Sequence, residues 1–140
     1  MLKKFFKKKT EEKANGKNIL IAALLIHAAK IDDSYTDVEK KIIKKALINL
    51  SAIKSNEAEE LLKKAEKIEQ ESNQIVTFTR EIKKNSMEFR LKIIEILWKI
   101  VYSDGVSDNY ESNLIRRVCG LFYVSDKDSG EIKQKVKNSL

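Results

Sequence analysis

The sequence lacks proline entirely and contains one cysteine, Cys119, and one histidine, His27. Proline is the residue that most strongly interrupts helices, so its absence favours helices throughout the chain. One Cys and one His cannot supply the ligands of a zinc finger or zinc ribbon, and a lone Cys cannot form an internal disulfide. Four glycines and 7% aromatic residues are too few for a turn-rich β-sandwich. These absences leave an all-α fold, and 140 residues suit a single domain.

The positive charge is concentrated at the amino terminus. Residues 1–17 hold seven lysines against two glutamates, a balance of +5, whereas residues 18–140 carry only the remaining +2 of the net +7. We therefore divide the chain into a basic, flexible tail over residues 1–17 and a helical domain over residues 18–140. The domain has no basic stripe and no zinc-finger motif, so the sequence predicts no specific nucleic-acid partner.

Apolar Leu2, Phe5 and Phe6 alternate with lysines in the tail, so a helical tail would have an apolar side and a basic side. Such a segment binds anionic bilayers weakly, with about 1 kcal/mol contributed by each lysine near the surface. The alternative interpretation is a solubilising basic terminus. No long apolar run or small-residue cleavage site follows the lysines, so no secretory signal is predicted. We expect a cytoplasmic protein, with peripheral association with the inner membrane as a further hypothesis.

Apolar residues recur at helical spacing along most of the chain. Residues 19–29 and 91–101 are apolar nearly all round, which predicts two central helices that pack against each other. The second half can be laid over the first, with residues 90–104 upon residues 18–32 and a one-residue gap further along. The sequence therefore predicts an all-α, single-domain bundle of about seven helices, built from two pseudo-repeats.

Each predicted repeat has an acidic turn after its central helix. Helix capping explains much of this acidity, because Thr36 and Asp108 stand at N-cap positions with a glutamate three residues later. The other interpretation is a divalent-cation site, since Ca²⁺ and Mg²⁺ prefer carboxylate ligands. The spacing does not match an EF-hand loop, so the two turns would have to converge on one ion or share an ion with a partner. The candidate metal ligands are Asp32, Asp33, Glu39, Asp104, Asp108 and Glu111.

The two acidic turns resemble the motif of the tellurite-resistance TerB family and of the related central region of the membrane co-chaperone DjlA. The resemblance rests on Asp104-Gly105 followed by Glu111, on its repetition as Asp32-Asp33 followed by Glu39, and on the polar segments after Leu50 and Tyr123. It covers about residues 18–138. The resemblance implies a bacterial, intracellular, all-helical domain of two pseudo-repeats with a metal-binding or membrane-proximal role in a stress response. Co-chaperone activity is not implied, because the chain has no J-domain signature.

Two functional hypotheses follow. The first is a non-enzymatic TerB-like interaction module whose acidic turns bind a divalent cation or a basic protein partner, while the lysine-rich tail associates with an anionic membrane surface. The second is a metal-assisted hydrolase, or another small enzyme, that uses the same six carboxylates as ligands or acid/base groups. The sequence has no glycine-rich phosphate loop and no nucleophile elbow, so neither a catalytic residue nor an organic cofactor is predicted. Nothing in the sequence specifies an oligomeric state.

Overall fold

The computed structural model describes the backbone of residues 2–31, 35–72, 74–104 and 109–140, and their side chains except for residues 2–15, 104 and 109–111. Over these ranges the chain forms seven α-helices and one short 3-10 turn, with no strand, which confirms the all-α fold class. The helices are α1 (Leu2–Ala29), α2 (Asp37–Ser51), α3 (Ser55–Glu71), α4 (Ile75–Ile82), α5 (Met87–Val101), α6 (Asn109–Phe122) and α7 (Asp126–Asn138), and the 3-10 turn is Tyr102–Asp104.

Both helices that were predicted to be central lie in the core. Every residue of α1 from Ile21 to Ile26 is fully buried, and in α5 Ile93, Ile94 and Leu97 are fully buried as well. A helix that is apolar on all sides must be covered on all sides. In agreement with this, α1 contacts α2, α3, α4 and α5, and α5 contacts α2, α6 and α7 in addition to α1.

The neighbour relations are the same in the two halves of the chain. In the first half α1, α2 and α3 contact one another, in the second half α5, α6 and α7 do so, and α4 bridges α1 and α6. Equivalent helix ends also recur at the spacing of the sequence overlay: Ala29 and Val101 are 72 positions apart, and Ser51 and Phe122 are 71 apart after the one-residue gap. These coincidences support the pseudo-repeat, which stays a prediction until the halves are superimposed.

The first residues after α2 and α6 add a conformational parallel between the halves. Ala52 and Tyr123, also 71 positions apart, are the only residues other than glycine with positive φ in the described part of the chain, at 51° and 58°. A left-handed residue ends many helices, but the position usually holds glycine because a Cβ atom is strained there.

The basic segment has a helical backbone that is continuous with the first core helix. α1 begins at Leu2, whereas the hydrophobic pattern placed the start of the helix at about Asn18. The reason is propensity: lysine and glutamate are good helix formers, and Gly16 is the only residue here with a strongly unfavourable helix propensity. Gly16 is exposed, and a Cβ atom added to it would meet nothing within 4 Å. The flexibility of the tail stays a prediction.

The last lysine of the basic segment is attached to the bundle. Nζ of Lys17 donates to Oδ1 of Asn85 at 2.6 Å and lies 4.4 Å from the ring centroid of Phe89. Asn85 also donates to the carbonyl of Ile82 at the end of α4. It therefore closes α4, and the N-cap of α5 is the next residue, Ser86.

No helix among the described residues combines the length and the hydrophobicity that crossing a lipid bilayer requires.

Candidate functional site

The structure describes only part of the predicted cation site. Asp32, Asp33 and Asp108 lie outside the described residues, and for Asp104 and Glu111 only the backbone is described, at the end of the 3-10 turn and in α6. Whether these carboxylates converge therefore stays a prediction. Glu39 is the one candidate ligand whose side chain is described.

Glu39 forms the capping box that the sequence predicted at the start of α2. Its backbone N–H donates to Oγ1 of Thr36 at 3.2 Å, and its Oε1 accepts from both the backbone N–H and the hydroxyl of Thr36 at 2.9 Å. The residue is only 5% exposed. These bonds satisfy amide donors that the first turn of a helix leaves open. In the first turn, the capping interpretation is thus confirmed for Thr36 and Glu39.

A second buried carboxylate, Glu69 of α3, holds the end of α1. Nζ of Lys30 donates to Oε2 of Glu69 at 2.8 Å, and Nδ1 of His27 lies 3.2 Å from Oε1. The side chain of Glu69 is 7% exposed, against 31% for Lys30 and 20% for His27. Two donors thus face the two oxygens of a carboxylate that is almost removed from water, as a buried charge requires. His27, in the last turn of α1, lies at the edge of the core.

A similar contact with α3 holds Tyr35, which follows residues 32–34 in the chain. The hydroxyl of Tyr35 donates to Oε1 of Glu66 at 3.0 Å, and Glu66 precedes Glu69 by one turn of α3. Burial, together with the negative charge of Glu66, raises the pKa of Tyr35 well above its usual value. Tyr35 is therefore a neutral hydrogen-bond donor at all physiological pH values. The ammonium of Lys40 lies 4.8 Å from the centroid of the Tyr35 ring.

We name these five residues the turn anchor: His27, Lys30, Tyr35, Glu66 and Glu69. The anchor ties the chain to α3 just before residue 32 and again just after residue 34. It does not itself form a metal centre, because within the described ranges no group of three His, Cys, Asp or Glu side chains is placed to hold an ion. Its chemical consequence is positional: the ends of the segment that carries Asp32 and Asp33 are fixed.

The equivalent positions in the second half cannot form this anchor. In the overlay, Lys99 replaces His27, and Lys137 and Leu140 replace the two anchoring glutamates. There the end of α5 is held differently: Trp98 stacks on Tyr102 with ring centroids 6.0 Å apart, and Nε1 of Trp98 donates to Oγ of Ser129 at 3.2 Å. The two halves therefore share helix packing but differ in how the chain enters the acidic turn.

Sequence reasoning missed the anchoring role of Glu69, although a signal was present. The apolar stripe of α3 includes Ala58, Leu62 and Ala65, and Glu69 follows at the next four-residue step of this stripe. A single charged residue on a buried stripe needs a partner. His27, the only polar residue within the apolar run of α1, was the available candidate.

These features define the class of protein over the described residues: an all-helical bundle with two core helices, α1 and α5. The family model of the tellurite resistance protein TerB matches residues 18–134. The chain therefore belongs to the TerB family, as its motifs suggested. No curated protein and no solved structure matches the chain.

Proposed function

We propose that this TerB domain is a non-enzymatic interaction module with two charged ends. Its lysine-rich segment associates with an anionic membrane surface, and its acidic turns bind a divalent cation or a basic partner. The observation that carries the proposal is the continuity of α1 from Leu2 to Ala29. At a rise of about 1.5 Å per residue, this helix is about 42 Å long, with the lysines near its start and the first acidic turn just after its end.

The helical state of the basic segment supports membrane association. A helix favours interfacial binding, because it gathers apolar residues on one side and leaves lysines for the lipid headgroups. The attachment of Lys17 to Asn85 and Phe89 gives the segment a fixed point of departure from the bundle.

The turn anchor supports ligand binding at the first acidic turn. A site on a loop binds more tightly when its ends are already ordered, because less conformational entropy is lost on binding. Here Lys30 and Tyr35 are tied to α3 before any ligand arrives. The matching family is described as tellurite resistance proteins, so we propose that the module acts in resistance to tellurite, which growth of a deletion strain on tellurite would test.

Liposome sedimentation tests the membrane end in the full-length chain. We expect the triple variant K7Q/K8Q/K9Q to bind phosphatidylglycerol-containing vesicles about 100-fold more weakly than the parent, at about 1 kcal/mol for each lysine. The matched control is K63Q/K64Q/K67Q, which removes the same charge from exposed positions of α3. An equal loss in both variants would mean that net charge alone, and not the tail, governs binding.

Isothermal titration with Ca²⁺ and with Mg²⁺ tests the acidic end. We expect binding that D32N/D33N removes and that D126N/D128N, a matched change at exposed positions of α7, leaves intact. Titration of the variant D104N/D108N tests whether the second acidic turn shares the ion with the first. An absence of heat at millimolar concentrations of both ions would exclude the cation and leave the basic partner as the ligand of the turns.

A further inference from the structure

A groove runs between α2 and α5, and no residue of the turn anchor lines it. Its volume is about 340 Å³, and it is the more apolar of the two cavities described in the bundle. Its walls are formed by residues 42–50 of α2 and residues 92–99 of α5.

The floor of the groove is an apolar stripe along α2. Ile42, Ala46 and Leu50 follow one another at four-residue steps, and Ile96 of α5 faces them. Val38 lies one turn before Ile42 on the same side of α2, and although it is apolar it is 55% exposed. From Val38 to Leu50 the stripe is about 18 Å long, at about 1.5 Å per residue.

The rim of the groove is basic along its length. Lys45, Lys92 and Lys99 are exposed, and Lys92 and Lys99 stand two helical turns apart on α5. The acidic residue of the lining, Glu95, already faces Lys135 of α7 at 3.3 Å. Lys92 has a partner in Glu88, but at 3.8 Å and at the solvent-exposed surface, where such pairs contribute little. The rim therefore retains an excess of positive charge.

We propose that this groove binds an acidic amphipathic helix of a partner protein. A groove between two helices accepts a third helix that lays its apolar side on the floor, with contacts at every third or fourth residue. Glutamates or aspartates beside that apolar side would then meet the lysines of the rim. The distribution of the lysines favours a peptide helix over a lipid as the ligand. A lipid has one anionic headgroup, which needs cationic side chains at one end of an apolar slot, whereas here the lysines line both walls of the groove. None of the residues that line the groove is a candidate ligand of the acidic turns, so the inference goes beyond the function proposed above.

The first test compares two synthetic probes against the full-length protein. One is a fluorescein-labelled peptide of about 14 residues, about 21 Å long as a helix, with leucines at helical spacing flanked by glutamates. The other has lysine in place of each glutamate. We expect the acidic peptide to bind, more weakly as salt is raised, and to shift amide resonances of Ile42, Ala46 and Ile96. Failure of the acidic peptide to shift these resonances at millimolar concentration, or equal binding of both peptides, would overturn the proposal.

The second test uses charge reversal on the rim. K45E/K99E should weaken binding of the acidic peptide by about tenfold or more, because attraction becomes repulsion on both walls. The control K63E/K67E carries the same change at exposed positions of α3 and should leave the affinity unchanged. Equal weakening by both pairs would refute a specific site. Displacement of the peptide by oleate, together with direct binding of oleate that K45E/K99E abolishes, would assign the groove to a lipid instead.

Discussion

Replacing Glu69 with glutamine should destabilise the protein, because it neutralises a buried carboxylate that two cationic or polar side chains face. Hydrogen bonds to charged groups contribute about 1.5–3 kcal/mol. The Lys30 side chain is 31% exposed and can turn to solvent, which reduces the loss. We therefore expect E69Q to lower the free energy of unfolding by about 2 kcal/mol. For a chain of 140 residues this corresponds to a fall in melting temperature of about 7 °C.

Urea denaturation followed by circular dichroism measures this change. The matched control is E60Q on the exposed side of the same helix, which should alter stability by less than about 0.5 kcal/mol. A double-mutant cycle with K30M then isolates the Lys30–Glu69 contact, for which a coupling of about 1 kcal/mol is expected. If E69Q and E60Q unfold at the same urea concentration, the turn anchor contributes nothing to stability and the reasoning fails.

Three further predictions concern single side chains. The raised pKa of Tyr35 means that the folded state favours the neutral phenol. The contribution of Tyr35 to stability is therefore complete below the pKa of the unfolded chain, about 10, and is lost as pH rises through the higher pKa of the folded state. Unfolding measured across this alkaline range should show a decline that Y35F abolishes. The difference in tyrosinate absorbance between the parent and Y35F should show that Tyr35 ionises only above its usual pH range. T36A removes the capping hydroxyl of α2 and should lower the free energy of unfolding by about 1 kcal/mol. T77A, on the exposed side of α4, should leave the free energy of unfolding unchanged, and equal effects of the two variants would show that the cap does not stabilise the protein. Burial raises the pKa of Cys119, so iodoacetamide should label the native protein far more slowly than the urea-unfolded chain, and similar rates would contradict its burial.

The fold was predictable because its signals are local. Hydrophobic periodicity identified residues 19–29 and 91–101 as core helices, and the pattern of Thr36 followed by Glu39 identified the capping box. Both patterns depend only on residues within one or two helical turns of each other. The start of α1 was missed for a related reason. The hydrophobic pattern ends near Asn18, but the helix extends to Leu2 through residues that mostly have good helix propensity.

Contacts between distant segments were not predictable in the same way. Glu69 pairs with His27 and Lys30 across about forty positions, and Glu66 meets Tyr35 across thirty-one. Helical periodicity specifies which side of α3 is buried, but not which part of α1 lies opposite it. The groove between α2 and α5 depends likewise on how two helices lie in space, so its lysines looked in the sequence like an ordinary solvated surface.

Gly16 has the lowest helix propensity of any residue in α1, about 1 kcal/mol less favourable than alanine. It immediately precedes Lys17, whose contacts with Asn85 and Phe89 attach α1 to the bundle. A Cβ atom at this position would meet nothing within 4 Å, so no packing contact requires a glycine there. The chain therefore keeps a residue that weakens its longest helix at a point where the space around the backbone would admit a better helix former.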